Sequence, residues 1–107
     1  IICPLRWDKT QHVILHDLGK RLGLSTLVIA DAGLGTINSA VLTIEHLQRR
    51  EIPVKGVILN NFHAGDVMEE DNRRMIEAIT GVPVIATVRK GDTELDMDAA
   101  ELAALYE

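Results

Sequence analysis

Three short apolar runs do most to limit what this chain can fold into. Residues 27–30 read LVIA, residues 54–59 read VKGVIL and residues 82–88 read VPVIATV. Each has the length of a strand, and each is divided from the next by a stretch of helical periodicity. Ile37, Val41, Ile44 and Leu47, with Leu42 beside them, recur at helical spacing over 37–50. Asp66 and Glu69 give the D-x-x-E pattern of a capping box ahead of a helix over 67–80, which Gly81 would end. Strands joined through helices pair in parallel, with right-handed connections and helices over both sheet faces. The expected fold is therefore α/β, a three-layer arrangement around a parallel sheet. Ahead of the first strand, Val13, Ile14, Leu15, Leu18 and Leu22 predict a helix over 9–22, with Asp8 placed to cap it and Gly23 to close it. Asp98 and Glu101 form another capping box, opening a short terminal helix with Leu102, Leu105 and Tyr106. The predicted order is helix, strand, helix, strand, helix, strand, helix.

The 107 residues suffice for one small domain, and 47% hydrophobic with 25% charged residues fits a packed core. A net charge of -5, with no basic patch interleaved with aromatics, argues against nucleic acid as a partner. Cys3 is the single cysteine, which suits a reducing compartment such as the cytoplasm. No apolar run approaches the roughly 20 residues of a membrane span. Ile1, Ile2 and Cys3 run straight into Pro4 and read as the tail of a strand. The expectation is a piece of a larger protein, with 1–107 as a single partial domain.

The stretch LVIADAGLGTIN, residues 27–38, joins a strand to a helix start through a glycine-bearing loop, Asp31 to Gly35. Such a junction lies at the carboxyl edge of a parallel sheet, where ligands bind. Gly33 and Gly35 would let an anion approach the main chain, Thr36 can cap the helix, and free N–H groups there favour a carboxylate or phosphate. The glycines can equally serve the turn alone. No GxxxxGK[ST] motif is present, so this is not itself a phosphate loop. Asn60 and Asn61 follow the second strand, where an amide suits either a purine edge or a turn. Arg89 to Thr93 form a polar loop that could approach phosphate or ribose, or be a solvated turn. His63 reads as a loop residue and Trp7 as a hydrophobe covering a core edge. His12 and His16 have the spacing of two metal ligands, but no HExxH pattern or third ligand joins them. They are read as a solvated helix face. Glu69, Glu70 and Asp71 are read as dipole partners of a first helical turn, and no metal site is assigned.

Several segments together resemble the dethiobiotin synthetase family: GLGTIN at 33–38, GVILNN at 56–61, PL at 4–5, DLGKRLGL at 17–24 and VPVIATV at 82–88. The resemblance covers essentially the whole chain and looks like the family's C-terminal half. It implies a phosphate-loop NTPase-type domain, a homodimer, and a ligase using ATP, magnesium and carbon dioxide to close dethiobiotin from 7,8-diaminopelargonic acid. Gly33, Leu34, Gly35, Thr36 and Asn38 then resemble the loop that takes the substrate carboxylate across the dimer interface. Asn60 resembles the adenine-recognition asparagine, and Pro83, Val84 and Ile85 the wall of the adenine pocket. The family's last strand commonly leads into G-x-[IV]-P; here it reads ATVR, residues 86–89. The phosphate loop, the substrate lysine and the acidic magnesium ligands are implied outside these residues, so no catalytic residue is assigned and the fragment is expected to be inactive alone. Rival readings are a cobyrinic-acid-type ATPase domain on the same scaffold and a noncatalytic regulatory or interaction module.

Overall fold

The computed structural model describes residues 2–93 and 97–105; Ile1 and Tyr106, both drawn on above, lie outside them. The chain forms β1 (Pro4–Trp7), β2 (His12–Ile14), α1 (Leu15–Arg21), β3 (Thr26–Asp31), α2 (Thr36–Arg49), β4 (Val54–Asn60), α3 (Val67–Thr80), β5 (Val84–Val88) and α4 (Ala99–Ala104). The three predicted apolar runs become β3, β4 and β5, which pair in parallel in the order β3-β4-β5. Both crossovers are helical, as parallel pairing requires. α2 and α3 pack against each other and enclose one core with the sheet. Ile44, Leu59, Ile76 and Val57 are fully buried at its centre. Side chains alternate across a strand, so Ile29, next to buried Val28, points to the opposite face and is 70% exposed.

The helix ends follow the local chemistry. The Asp66 carboxylate accepts from the Glu69 N–H, and Gly81 closes α3 at φ 71°. The reciprocal half of that capping box is not made: the Glu69 carboxylate takes the His63 N–H at 2.8 Å instead. Asp98 likewise caps α4 through the Glu101 N–H. Thr36, expected as a cap, is the first helical residue; the cap position belongs to Gly35 at φ 89°.

The first 22 residues depart from expectation. No helix runs over 9–22. Residues 4–7 and 12–14 form an antiparallel hairpin, and only 15–21 are helical. Asp8 does not cap a helix. Its carboxylate accepts from the Thr10 N–H, the Thr10 hydroxyl and the Gln11 N–H, closing the hairpin turn, and Arg6 pairs with it at 2.8 Å. These contacts hold its carboxyl well below the usual carboxylate range, the Arg6 bond contributing most. Trp7 covers no core edge: it is 62% exposed and stacks on His12 with ring centroids 3.8 Å apart. His16 is buried rather than solvated. Arg50 donates its Nε–H to His16 Nε2 at 2.9 Å, and the other ring nitrogen of His16, Nδ1, faces His46 Nε2 at 3.1 Å.

Candidate functional site

The parallel register brings two loops together at the carboxyl edge. Asp31, the last residue of β3, pairs with Asn60, the last of β4, and Asn60 pairs with Val88 of β5. Beyond Asp31, the Ala32 N–H donates to the Asn60 carbonyl at 2.8 Å. Beyond Asn60, the Phe62 N–H donates to the Val88 carbonyl at 2.9 Å, and Phe62 is buried. The Asn60 side chain is exposed at this edge, and Asn61 adopts a left-handed φ of 55°.

Asp31 ties the loops to each other. One carboxylate oxygen accepts from the Asn61 amide at 2.9 Å and the other from the Gly33 N–H at 3.0 Å. The Asn61 bond, then the Gly33 bond, lowers the Asp31 pKa. A Cβ on Gly33 would stand 2.9 Å from the Asp31 oxygen, so glycine is the residue that fits beneath the carboxylate. The Gly33 N–H is consequently engaged by the Asp31 carboxylate, whereas Gly33 was expected to let an anion approach the main chain. The Thr36 N–H turns back to the Gly33 carbonyl at 3.3 Å. Among the described residues, the N–H groups of Ile37 and Asn38, next in the first turn of α2, find no backbone acceptor.

The remaining expected loop residues stand around that helix start. Two grooves flank it. One, of about 540 Å³, follows the β3 edge that pairs with no strand among the described residues, and is lined by Leu34, Gly35, Thr36 and Ala40. The other, of about 510 Å³, lies between α2 and α3 and is lined by Leu34, Gly35, Ile37, Asn38 and Asn72. Leu34 is 93% exposed where the two meet. Among the described residues the buried Thr36 hydroxyl has no hydrogen-bond partner, an uncompensated polar group in the wall of the first groove.

Pro83, Val84 and Ile85 are not brought to Asn60. The register sets Val84 beside Val57, three residues before Asn60, which is about 10 Å along the strand. They occupy the amino end of β5. There Val84 is buried in the core, and Ile85 packs against the space above Gly56. The β5 residue next to Asn60 is Val88.

Sequence reasoning missed three supports. Buried Asn72 donates from its amide to the carbonyls of Ala32 and Gly33, at 3.0 and 3.3 Å. Buried Glu69 holds both the backbone N–H and the ring of His63, the latter at 3.0 Å, and these contacts raise the His63 pKa, the hydrogen bond first. Asn61 is the third. A signal existed for the first two: Glu69, Asn72 and Ile76 share the buried stripe of α3, so two polar residues stand at core spacing. Among the described residues no cluster of three or more His, Cys, Asp or Glu could hold a metal ion, and no helix is long and apolar enough to cross a membrane.

A family model described as an AAA domain matches residues 5–93. Over 96 residues, 90% of this chain and 43% of the other, the sequence is 52% identical to an ATP-dependent dethiobiotin synthetase BioD of Brachyspira hyodysenteriae (strain ATCC 49526 / WA1). Proteins of the same name from Clostridium botulinum (strain Eklund 17B / Type B) and Clostridium perfringens (strain 13 / Type A) are 33% and 37% identical. Those alignments cover 100% and 95% of this chain, and 46% and 44% of the relatives. The chain thus spans less than half the length of the curated relatives it matches.

Proposed function

The chain belongs to the AAA domain family, and from that premise we propose that it serves an ATP-dependent dethiobiotin synthetase, supplying binding surfaces rather than reacting groups. In that reaction one amine of 7,8-diaminopelargonic acid takes up carbon dioxide as a carbamate. The carbamate oxygen attacks the γ-phosphoryl group of ATP and ADP leaves; the second amine then attacks the resulting carbonyl–phosphate mixed anhydride and displaces phosphate as the ring closes. Positioning and charge stabilisation dominate such a reaction.

The observation that carries the reading is the meeting of the α2 start with the Asn60 end of β4 at one sheet edge. The free N–H groups of Ile37 and Asn38, the positive end of the α2 dipole and the unpartnered Thr36 hydroxyl suit the diamine's carboxylate. In this reading Leu34, Gly35, Thr36 and Asn38 line the carboxylate site, and Gly33 makes room for Asp31. The exposed Asn60 amide offers a donor and an acceptor to the adenine edge. Magnesium, a homodimer that presents the loop to a neighbouring subunit, and a cytoplasmic setting belong to the same proposal. No residue here is assigned to magnesium or to the triphosphate.

Two substitutions in the full-length protein test it. Asn60→Ala should weaken ATP binding about two- to tenfold, one neutral hydrogen bond's worth, and leave the diamine unaffected. Thr36→Val keeps the side chain's shape and removes the hydroxyl. It should weaken the diamine by a similar factor and spare ATP. Gly35 is a poorer probe, because any side chain there meets a φ of 89°. Unchanged affinities in both folded variants would overturn the assignment.

A further inference from the structure

Among the described residues, Asp31 is the one side chain hydrogen-bonded to both ligand loops. Its oxygens are divided between them, with the Gly33 N–H on one and the Asn61 amide on the other, 3.0 and 2.9 Å away. The two donors lie three residues before the α2 start and directly after Asn60. Both positions are constrained: a Cβ on Gly33 would stand 2.9 Å from the carboxylate oxygen, and Asn61 holds a left-handed backbone that few residues tolerate. Asp31 itself is exposed and lies outside the buried core cluster. Its removal therefore changes the link between the loops without hollowing the core.

We propose that Asp31 is a positioning residue that couples the two sites, so that filling the carboxylate loop strengthens nucleotide binding at Asn60 and the reverse. The proposal rests on the site reading given above. The first ligand fixes its own loop, and the Asp31 bridge then fixes the neighbouring one. The second ligand has less ordering left to impose. Linkage makes the effect reciprocal.

The test measures affinity for 7,8-diaminopelargonic acid with and without a non-hydrolysable ATP analogue, and the converse, in the full-length protein. The parent should show about fivefold mutual tightening. Asp31→Asn leaves one acceptor oxygen for two donors, and the tightening should fall below about twofold. Each ligand's affinity alone should change little. The swap Asp31→Asn with Asn61→Asp restores a donor facing an acceptor, leaves an oxygen for Gly33, and keeps the total charge. It should recover most of the tightening. A residue that only stabilised the fold would lower both affinities together and would not be rescued in coupling. Undiminished tightening in folded Asp31→Asn, no tightening in the parent, or a folded swap without recovery would overturn this proposal alone. Failure of either ligand to bind the parent would overturn the site reading and this proposal with it.

Discussion

Thr36 carries a hydroxyl where a core would prefer a methyl group. Its oxygen is buried and, among the described residues, unpartnered. Leaving such a group unmade costs about 1–3 kcal/mol. Thr36→Val should therefore raise stability by about 1 kcal/mol, read from the urea midpoint, in the same variant that loses affinity for the diamine. Two histidines act in opposite directions with pH. His63 has a raised pKa because Glu69 binds its ring. Its stabilising contribution is complete below the ordinary histidine value of about 6.5 and is lost as pH rises through the folded value. The stability difference between the parent and His63→Gln should shrink over that interval, checked by urea unfolding at a series of pH values. His46 has a lowered pKa, from burial first and then from Arg50. Its contribution is complete above about 6.5 and falls as the solution is acidified towards the folded value. The glycines and the polar pair of the site were visible in sequence because they punctuate strand ends. The partners Asp31–Asn61 and Asn72–Ala32 were not, since they join residues 30 and 40 positions apart that only the tertiary fold brings together.

α2, α3 and the parallel strands were legible from their apolar spacing, and in α3 the caps Asp66 and Gly81 agree with it. The hairpin was not. Val13, Ile14 and Leu15 are a short apolar run that serves strand or helix equally well, and the structure divides it between β2 and α1. Asp8 likewise offers acceptors that a helix start or a tight turn can use. Between β4 and β5, Gly56 answers a packing demand. A Cβ there would stand 2.8 Å from Ile85 Cγ2 and 3.0 Å from Cδ1. Gly56→Ala should cost about 1–3 kcal/mol as an overpacked contact. Ile85→Ala clears the space, so the two substitutions together should cost less than the sum of each alone. A double-mutant cycle in urea reads the difference. This places Ile85 in service of the sheet.

Across the molecule, stability is unevenly spread. The central strand β4 pairs on both sides and holds fully buried Val57 and Leu59. The β1–β2 ladder is short, and every residue of β1 is exposed. Amide exchange should accordingly be slowest in β4 and fastest in the hairpin, with protection in β4 approaching the global unfolding limit. Exchange of Val57 and Leu59 as fast as the Trp7–His12 pair would contradict that gradient. The α/β class and the parallel pairing were readable from three apolar runs and two helical crossovers. The placement of Pro83, Val84 and Ile85 was not, because resemblance assigns a residue to a strand without fixing which end of the sheet it occupies.

Asp31 and Gly33 also set an order on change over generations. While an aspartate stands at 31 with its carboxylate over 33, a side chain at 33 must push it aside. Once another residue replaces Asp31, position 33 is released, and its backbone holds no left-handed angle that would demand glycine. Lineages should therefore cross this pair in one sequence, first 31 and then 33. Descendants with aspartate at 31 and a bulky residue at 33 should be rare compared with either single alternative.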